Sequence, residues 1–126
     1  MTGRRGVAMS LGARRSWWLM FLARAVTYAQ GAAAAGDRPA DRQDRAVFAH
    51  DIACAKTTAF PLPQASAQAL RGALLSACAG LAAAERGRER EILAQAVEAC
   101  ARGLDQMMND ERAEVAQVWR RWTGED

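Results

Sequence analysis

Two apolar patterns between Ser66 and Met108 limit this chain to helical folds more than any other feature. Each pattern recurs every three or four residues, which places its members on one face of an α-helix. The first consists of Leu70, Leu74, Ala77, Cys78 and Leu81, and the second of Leu93, Val97, Cys100, Leu104, Met107 and Met108. Arg86-Gly87-Arg88 separates the two patterns, so we predict a helical hairpin turning at these residues.

The composition fits a helical protein with a thin core. Hydrophobic residues make up 51% of the chain, but many are alanines, and aromatic residues are only 6%. Strand-forming residues never alternate with polar ones over a useful length. We therefore predict an all-α fold, a small antiparallel hairpin or bundle of three to four helices. Because alanine fills little volume, the bundle is expected to need a protein partner or a second copy.

Small residues form a second ridge along the first helix of the hairpin. Gly72, Ser76, Gly80 and Ala84 follow one another at intervals of four. Glycine inside a helix costs about 1 kcal/mol relative to alanine, so such a ridge favours close approach of another helix. The alternative is that an alanine-rich chain produces this spacing by chance. Residues 85–91, rich in arginine and glutamate, are predicted to form a solvent-exposed turn and helix start.

Residues 1–35 have the order of segments found in an export signal. Arg4, Arg5, Arg14 and Arg15 precede the apolar run from Trp17 to Ala23, and small residues follow up to Ala35. The segment Arg14–Trp18 resembles a twin-arginine export motif. This order predicts an exported, periplasmic-type protein whose mature chain starts near Gln30 or Gly36.

Two other interpretations of residues 1–35 stay open, because Arg24 limits the apolar run to seven residues. In the first, residues 16–35 associate with a membrane as an uncleaved inner-membrane anchor, with the N-terminus in the cytoplasm. In the second, the segment is a cytosolic helix that packs on the hairpin.

The rest of the chain divides into a linker, residues 36–40, and a helical domain, residues 41–126. Asp41 is predicted to cap a helix that runs to about Thr57. Phe60-Pro61-Leu62-Pro63 then forms a stiff corner that directs Phe60 and Leu62 inward. Asn109-Asp110 interrupts the apolar stripe of the last helix, where either a new helix begins or one bent helix continues.

The residues that could support catalysis or metal binding are few. No glycine-rich phosphate loop, nucleophile elbow or HExxH motif is present, so we expect neither an enzyme nor a cofactor. His50 and Cys54 are four apart on a predicted helix, which makes them weak candidate ligands for a soft metal such as copper or zinc. The disulfide state of Cys54, Cys78 and Cys100 is left open.

The most unusual surface candidate is the sequence Trp119-Arg120-Arg121-Trp122. Its tryptophans lie three apart on one helical face and its arginines lie on the flank. Tryptophan and arginine are enriched in binding hot spots, and both also suit a membrane interface. Alternatively, the tryptophans cover the open end of a thin bundle.

The net charge of +3 does not point to nucleic acid. Four of the 17 basic residues lie in the first fifteen positions, and acidic residues outnumber basic ones in the remainder. We therefore expect an exported, non-catalytic helical protein that acts by binding a protein partner or by forming a homo-oligomer. The alternatives are a soft-metal binding protein and a membrane-anchored accessory subunit.

Overall fold

The described part of the chain forms four α-helices. A computed structural model describes residues 10–58, 60–62 and 64–123, so Arg4, Arg5 and Pro63 lie outside the described residues. The helices are α1 (Leu11–Ala34), α2 (Arg42–Thr57), α3 (Ala65–Ala83) and α4 (Arg88–Thr123), and no strand occurs in the described ranges. The prediction of an all-α bundle is confirmed.

The helices form an up-down-up-down bundle, in which α1 and α3 each pack against both α2 and α4. Contacts at both ends of α1 show that it runs antiparallel to α4. Arg15 Nη2 donates to the Met108 carbonyl at 2.6 Å, whereas Gln30 Nε2 donates to Glu98 Oε2 at 3.3 Å. Short connections between successive helices produce this topology.

Local sequence signals set the helix boundaries. The Asp41 carboxylate accepts a hydrogen bond from the Asp44 amide at 3.0 Å, so the predicted cap and extent of α2 are confirmed. Gly87 has φ +96° immediately before α4, a conformation that side-chain-bearing residues rarely adopt. The predicted turn between α3 and α4 therefore lies where Gly87 permits it.

Residues of α1 form a large part of the core. Its buried side chains are Trp18, Phe21, Leu22, Ala25 and Ala29. Trp18 Nε1 donates to the Thr58 carbonyl at 2.8 Å, which ties α1 to the end of α2. None of the described helices is long and apolar enough to span a membrane. Residues 11–34 thus pack on the bundle in this structure, while cleavage and export stay predictions.

The corner between α2 and α3 confirms the predicted inward direction of its apolar residues. Phe60 is 8% exposed and Leu62 is 3% exposed. Two side chains of α3 bind the carbonyl groups of this corner: Arg71 Nη1 donates to Phe60, and Gln68 Nε2 donates to Leu62 at 2.6 Å. The bends before the prolines therefore keep their polar backbone groups paired.

The predicted small-residue ridge on α3 is only partly correct. Gly72 and Ser76 are exposed, and a Cβ built at Gly72 would meet nothing within 4 Å. A Cβ at Gly80 would lie 3.3 Å from both Cδ atoms of Leu93, so close packing occurs there. A four-residue step drifts by about 40° around a helix, which turns the ridge from solvent at Gly72 towards α4 at Gly80.

The prediction that residues 85–91 form a solvent-exposed segment is wrong at Arg90. This side chain is only 1% exposed. Its Nη1 donates to the Glu85 carbonyl and its Nη2 donates to the Gly36 carbonyl at 2.8 Å. Both carbonyls lie just beyond helix C-termini, where the helix dipole favours a cation. Arg90 therefore connects the ends of α1 and α3 to the start of α4.

Candidate interaction site

Helix α4 continues well past the end of the bundle. It has 36 residues, about 54 Å, whereas α1 has 24 residues, about 36 Å. Arg15 contacts the Met108 carbonyl at the bundle end, and every described side chain from Arg112 to Trp122 is exposed. We call residues 109–123, about 22 Å of helix, the C-terminal arm.

Helix α4 continues without a break through Asn109-Asp110. Of the two alternatives that the sequence left open there, one continuous helix is the one observed. Gln106 Nε2 donates to Asp110 Oδ1 at 2.9 Å, and Asn109 Nδ2 donates to Asp105 Oδ2 at 3.4 Å. Such pairs four residues apart stabilise a helix by a few tenths of a kcal/mol. They join the arm to the bundled part of α4 across the residues that resemble a break.

The four residues predicted as an interaction site lie on this arm. Trp119 is 67% exposed and Trp122 is 83% exposed, so they do not cover the end of the bundle. Val118 is 50% exposed beside them, and Arg120 and Arg121 are also exposed. An exposed apolar group of this kind is typical of a binding surface, and the binding role itself stays a prediction.

The apolar stripe of the arm prolongs the core stripe of α4. Buried core residues occur at alternating steps of three and four: Ala94, Val97, Ala101, Leu104 and Met108. The same alternation continues through Glu111, position 115, Val118 and Trp122. This is the heptad pattern by which one helix packs along another. Within the bundle α1 and α3 cover the stripe, but on the arm Val118 and Trp122 lie in solvent.

The half of the arm next to the bundle is mainly acidic, and the tip is basic. Asp110, Glu111 and Glu114 lie in the first half together with Arg112, whereas Arg120 and Arg121 lie at the tip. The prediction from sequence named only the tip and missed the acidic half. The alternating three- and four-residue spacing from Ala94 to Trp122 could have linked the two halves.

His50 and Cys54, the weak candidate metal ligands, lie side by side on α2. Cys54 Sγ lies 3.6 Å from His50 Nε2 on the surface of α2. Within the described ranges, no group of three or more histidine, cysteine or acidic residues could hold a metal ion. A structural zinc site normally has four ligands, so this pair lacks two.

The three cysteines are free thiols, and they differ in how far solvent reaches them. Cys78 is buried, and burial raises the pKa of its thiol from 9.0 to about 12, with a further increase from Cys100. Only the thiolate is a good nucleophile or metal ligand. Cys78 therefore stays protonated and unreactive at neutral pH.

A groove of about 980 Å³ lies between α1 and α2. The rings of Tyr28 and Phe48 stack there with centroids 4.2 Å apart, and Arg24 Nη1 pairs with Asp51 Oδ1 at 3.3 Å. Burial raises the pKa of Tyr28, and the nearby Arg45 and Arg90 partly oppose that rise. The lining contains three arginines and three aspartates: Arg24, Arg38, Arg90, Asp41, Asp44 and Asp51. Because these charges balance, they favour neither an anionic nor a cationic ligand.

Comparisons with known proteins add no relative to this picture. No protein-family model matches the chain, and no curated protein or solved structure matches it either. A function is therefore inferred from the chain's own residues, above all from those of the arm.

Proposed function

We propose that the chain is a non-catalytic helical protein that binds an amphipathic helix of a protein partner through its C-terminal arm. The exposure of Trp119 and Trp122 on a helix that leaves the bundle is the observation that carries this proposal. An indole side chain buries about 150–250 Å², and apolar burial is worth about 25 cal/mol per Å². Leaving the indole of Trp122 mostly in water thus forgoes several kcal/mol that a partner could recover.

The heptad spacing supports a helix as the binding partner. Positions that alternate by three and four residues form a narrow seam that fits the side chains of a second helix. Since Leu104 and Met108 already pack in this way inside the bundle, Val118 and Trp122 are spaced to do the same outside it. The flanking Arg120 and Arg121 would form the polar rim of such an interface.

The charges of the arm favour a protein over a membrane surface. Helices that lie on membranes carry a polar face rich in lysine and arginine, which attracts anionic lipids. The arm instead has as many acidic as basic side chains: Asp110, Glu111 and Glu114 against Arg112, Arg120 and Arg121. Its acidic half would be repelled by an anionic lipid surface.

We keep the exported compartment as part of the proposal, and the packing of α1 makes it testable. Cleavage after Ala35 would remove α1 and all its core side chains, including Trp18 and Phe21. The intact mass of the protein from its native cells decides the point. A chain starting near Gln30 or Gly36 supports a cleaved leader, whereas an intact Met1 terminus in the soluble cytosol contradicts export.

Photo-cross-linking in the native cells tests the binding role. An aromatic cross-linking residue is placed at position 122, and a matched control is placed at Gln117, which is exposed on a different side of the arm. We expect a covalent protein adduct from position 122 and little from position 117. Equal adducts from both positions, or none from position 122, would reject the proposal, and adducts with lipid alone would replace the protein partner with a membrane.

A further inference from the structure

We infer that the partner of the arm is the arm of a second copy of this chain, packed antiparallel to it. The inference rests on the proposed function, because it names the occupant of the same surface. It adds an observation that the exposed tryptophans do not supply, which is the pattern of charge beside the seam. We call the positions that continue the core stripe of α4 along the arm the seam: Glu111, position 115, Val118 and Trp122. The positions on either side of the seam are Arg112, Glu114, Trp119 and Arg121.

The seam fixes one antiparallel register that keeps its residues in contact. In this register Val118 of each copy lies opposite position 115 of the other, and Trp122 lies opposite Glu111. Seam residues on antiparallel helices pair in this way when the two copies are related by a two-fold axis. The axis passes near the middle of the arm, between positions 116 and 117.

The same register brings opposite charges together at the flanks. Glu114 of one copy faces Arg121 of the other, and two-fold symmetry makes this contact occur twice. On the other flank, Arg112 faces Trp119 of the second copy, an arrangement suited to a cation–π contact. In this register both flanks of the arm are therefore self-complementary, Glu114 with Arg121 and Arg112 with Trp119.

A parallel pairing of two arms lacks this complementarity. In a parallel pair Glu114 and Arg121 each face the position five residues further along the other helix, so Glu114 would face Trp119 and not Arg121. The two Glu114–Arg121 contacts would be lost. A parallel pairing would also bring both bundles to the same end of a short helix pair, whereas the antiparallel pairing separates them along about 22 Å of arm.

The bundle end offers half-buried side chains to the second copy's tip. Because Trp122 of the second copy lies opposite Glu111, its indole would lie against half-buried Glu111 and Met107.

Charge reversal in the full-length chain tests both the occupant and the register. The purified wild type should sediment at twice the chain's 13.6 kDa. Glu114→Arg and Arg121→Glu should each weaken the dimer by about tenfold or more, because each creates two like-charge contacts. The double variant Glu114→Arg with Arg121→Glu should restore it, and an equimolar mixture of the two single variants should form a heterodimer.

Arg86→Glu is the matched control, since Arg86 is exposed in the turn between α3 and α4 and lies far from the arm. It should leave dimerisation unchanged, and far-ultraviolet circular dichroism should show that all variants remain helical. A double variant that fails to recover the dimer would overturn the antiparallel register.

A wild type that is monomeric at high micromolar concentration would overturn the second copy as the partner. The photo-adduct at position 122 would then test the proposed function separately. An adduct whose mass differs from that of two copies of this chain would show that a different protein binds the arm. A dimer that persists undiminished in Trp119→Ala with Trp122→Ala would reject the arm as its interface and so overturn the inference.

Discussion

Replacing Trp18 with alanine is expected to destabilise the full-length chain strongly, and the same substitution at Trp122 provides the control. Trp18 is 2% exposed, whereas Trp122 is 83% exposed. The indole of Trp18 meets the Phe21 ring edge to face with centroids 5.4 Å apart, and Arg71 Cζ lies 5.8 Å from its centroid. Its Nε1 also donates to the Thr58 carbonyl at 2.8 Å.

These contacts set the size of the expected effect. Truncating a buried tryptophan to alanine costs about 3–5 kcal/mol, which covers the lost burial and the cavity left behind. The hydrogen bond to Thr58 and the cation–π contact with Arg71 place Trp18 towards the upper end of that range. For a chain of this size, such a loss lowers the melting temperature by about 15 °C. Trp122→Ala should change the free energy of unfolding by less than about 0.5 kcal/mol.

Thermal and urea unfolding of the purified chain, followed by circular dichroism, measure both variants under the same conditions. Since Trp122 belongs to the proposed interface, the comparison is made at a concentration where the wild type is monomeric. A melting temperature of Trp18→Ala within about 2 °C of the wild type would refute the packing of α1 in the core, because truncating a buried tryptophan lowers the free energy of unfolding by far more than such a shift represents. The unfolding experiment thereby tests whether residues 11–34 belong to the folded domain.

Further substitutions test the interior and the helix ends, each by the shift in its urea midpoint. Gly72→Ala should stabilise the chain by up to about 1 kcal/mol, because the site is open, whereas Gly80→Leu should cost about 1–3 kcal/mol by overpacking against Leu93. Arg90→Met should cost about 1–3 kcal/mol through its lost carbonyl contacts, and a stabilised variant would contradict that role. The raised pKa of Cys78 means that the folded state keeps a proton that the unfolded chain releases near pH 9. Stability should therefore fall between pH 9 and about 12, and the fall should shrink in Cys78→Ala.

Features controlled by neighbouring residues could be predicted from the sequence. The cap at Asp41 depends on a side chain reaching an amide three residues on, and the turn at Gly87 depends on one backbone angle. The inward direction of Phe60 and Leu62 follows from the extended geometry that proline imposes on the residue before it. Each of these is decided within a few residues, so no knowledge of the other helices is needed.

Features controlled by distant partners could not be predicted in the same way. Arg90 lies in a run of charges that resembles a solvated turn, and only the ends of α1 and α3 supply the carbonyls that bury it. The α1 segment poses the same difficulty, since a short apolar run after arginines suits an export leader as well as a core helix. Its buried residues Trp18, Leu22 and Ala29 do lie on one helical face, a pattern that favours packing.

Glu111 explains why the sequence left open whether a new helix begins after Asn109-Asp110, although the arm is one helix with the rest of α4. It occupies a seam position, so a search for apolar residues finds a gap there and infers a break. A helix, however, is broken by loss of backbone hydrogen bonds and not by one polar side chain on its face. Glu111 lies where α1 and α3 stop covering α4. Its side chain is only half-buried, and the side chains of Arg112–Glu114 are exposed. The same spacing resumes at Val118 and Trp122, whose side chains none of the described helices covers.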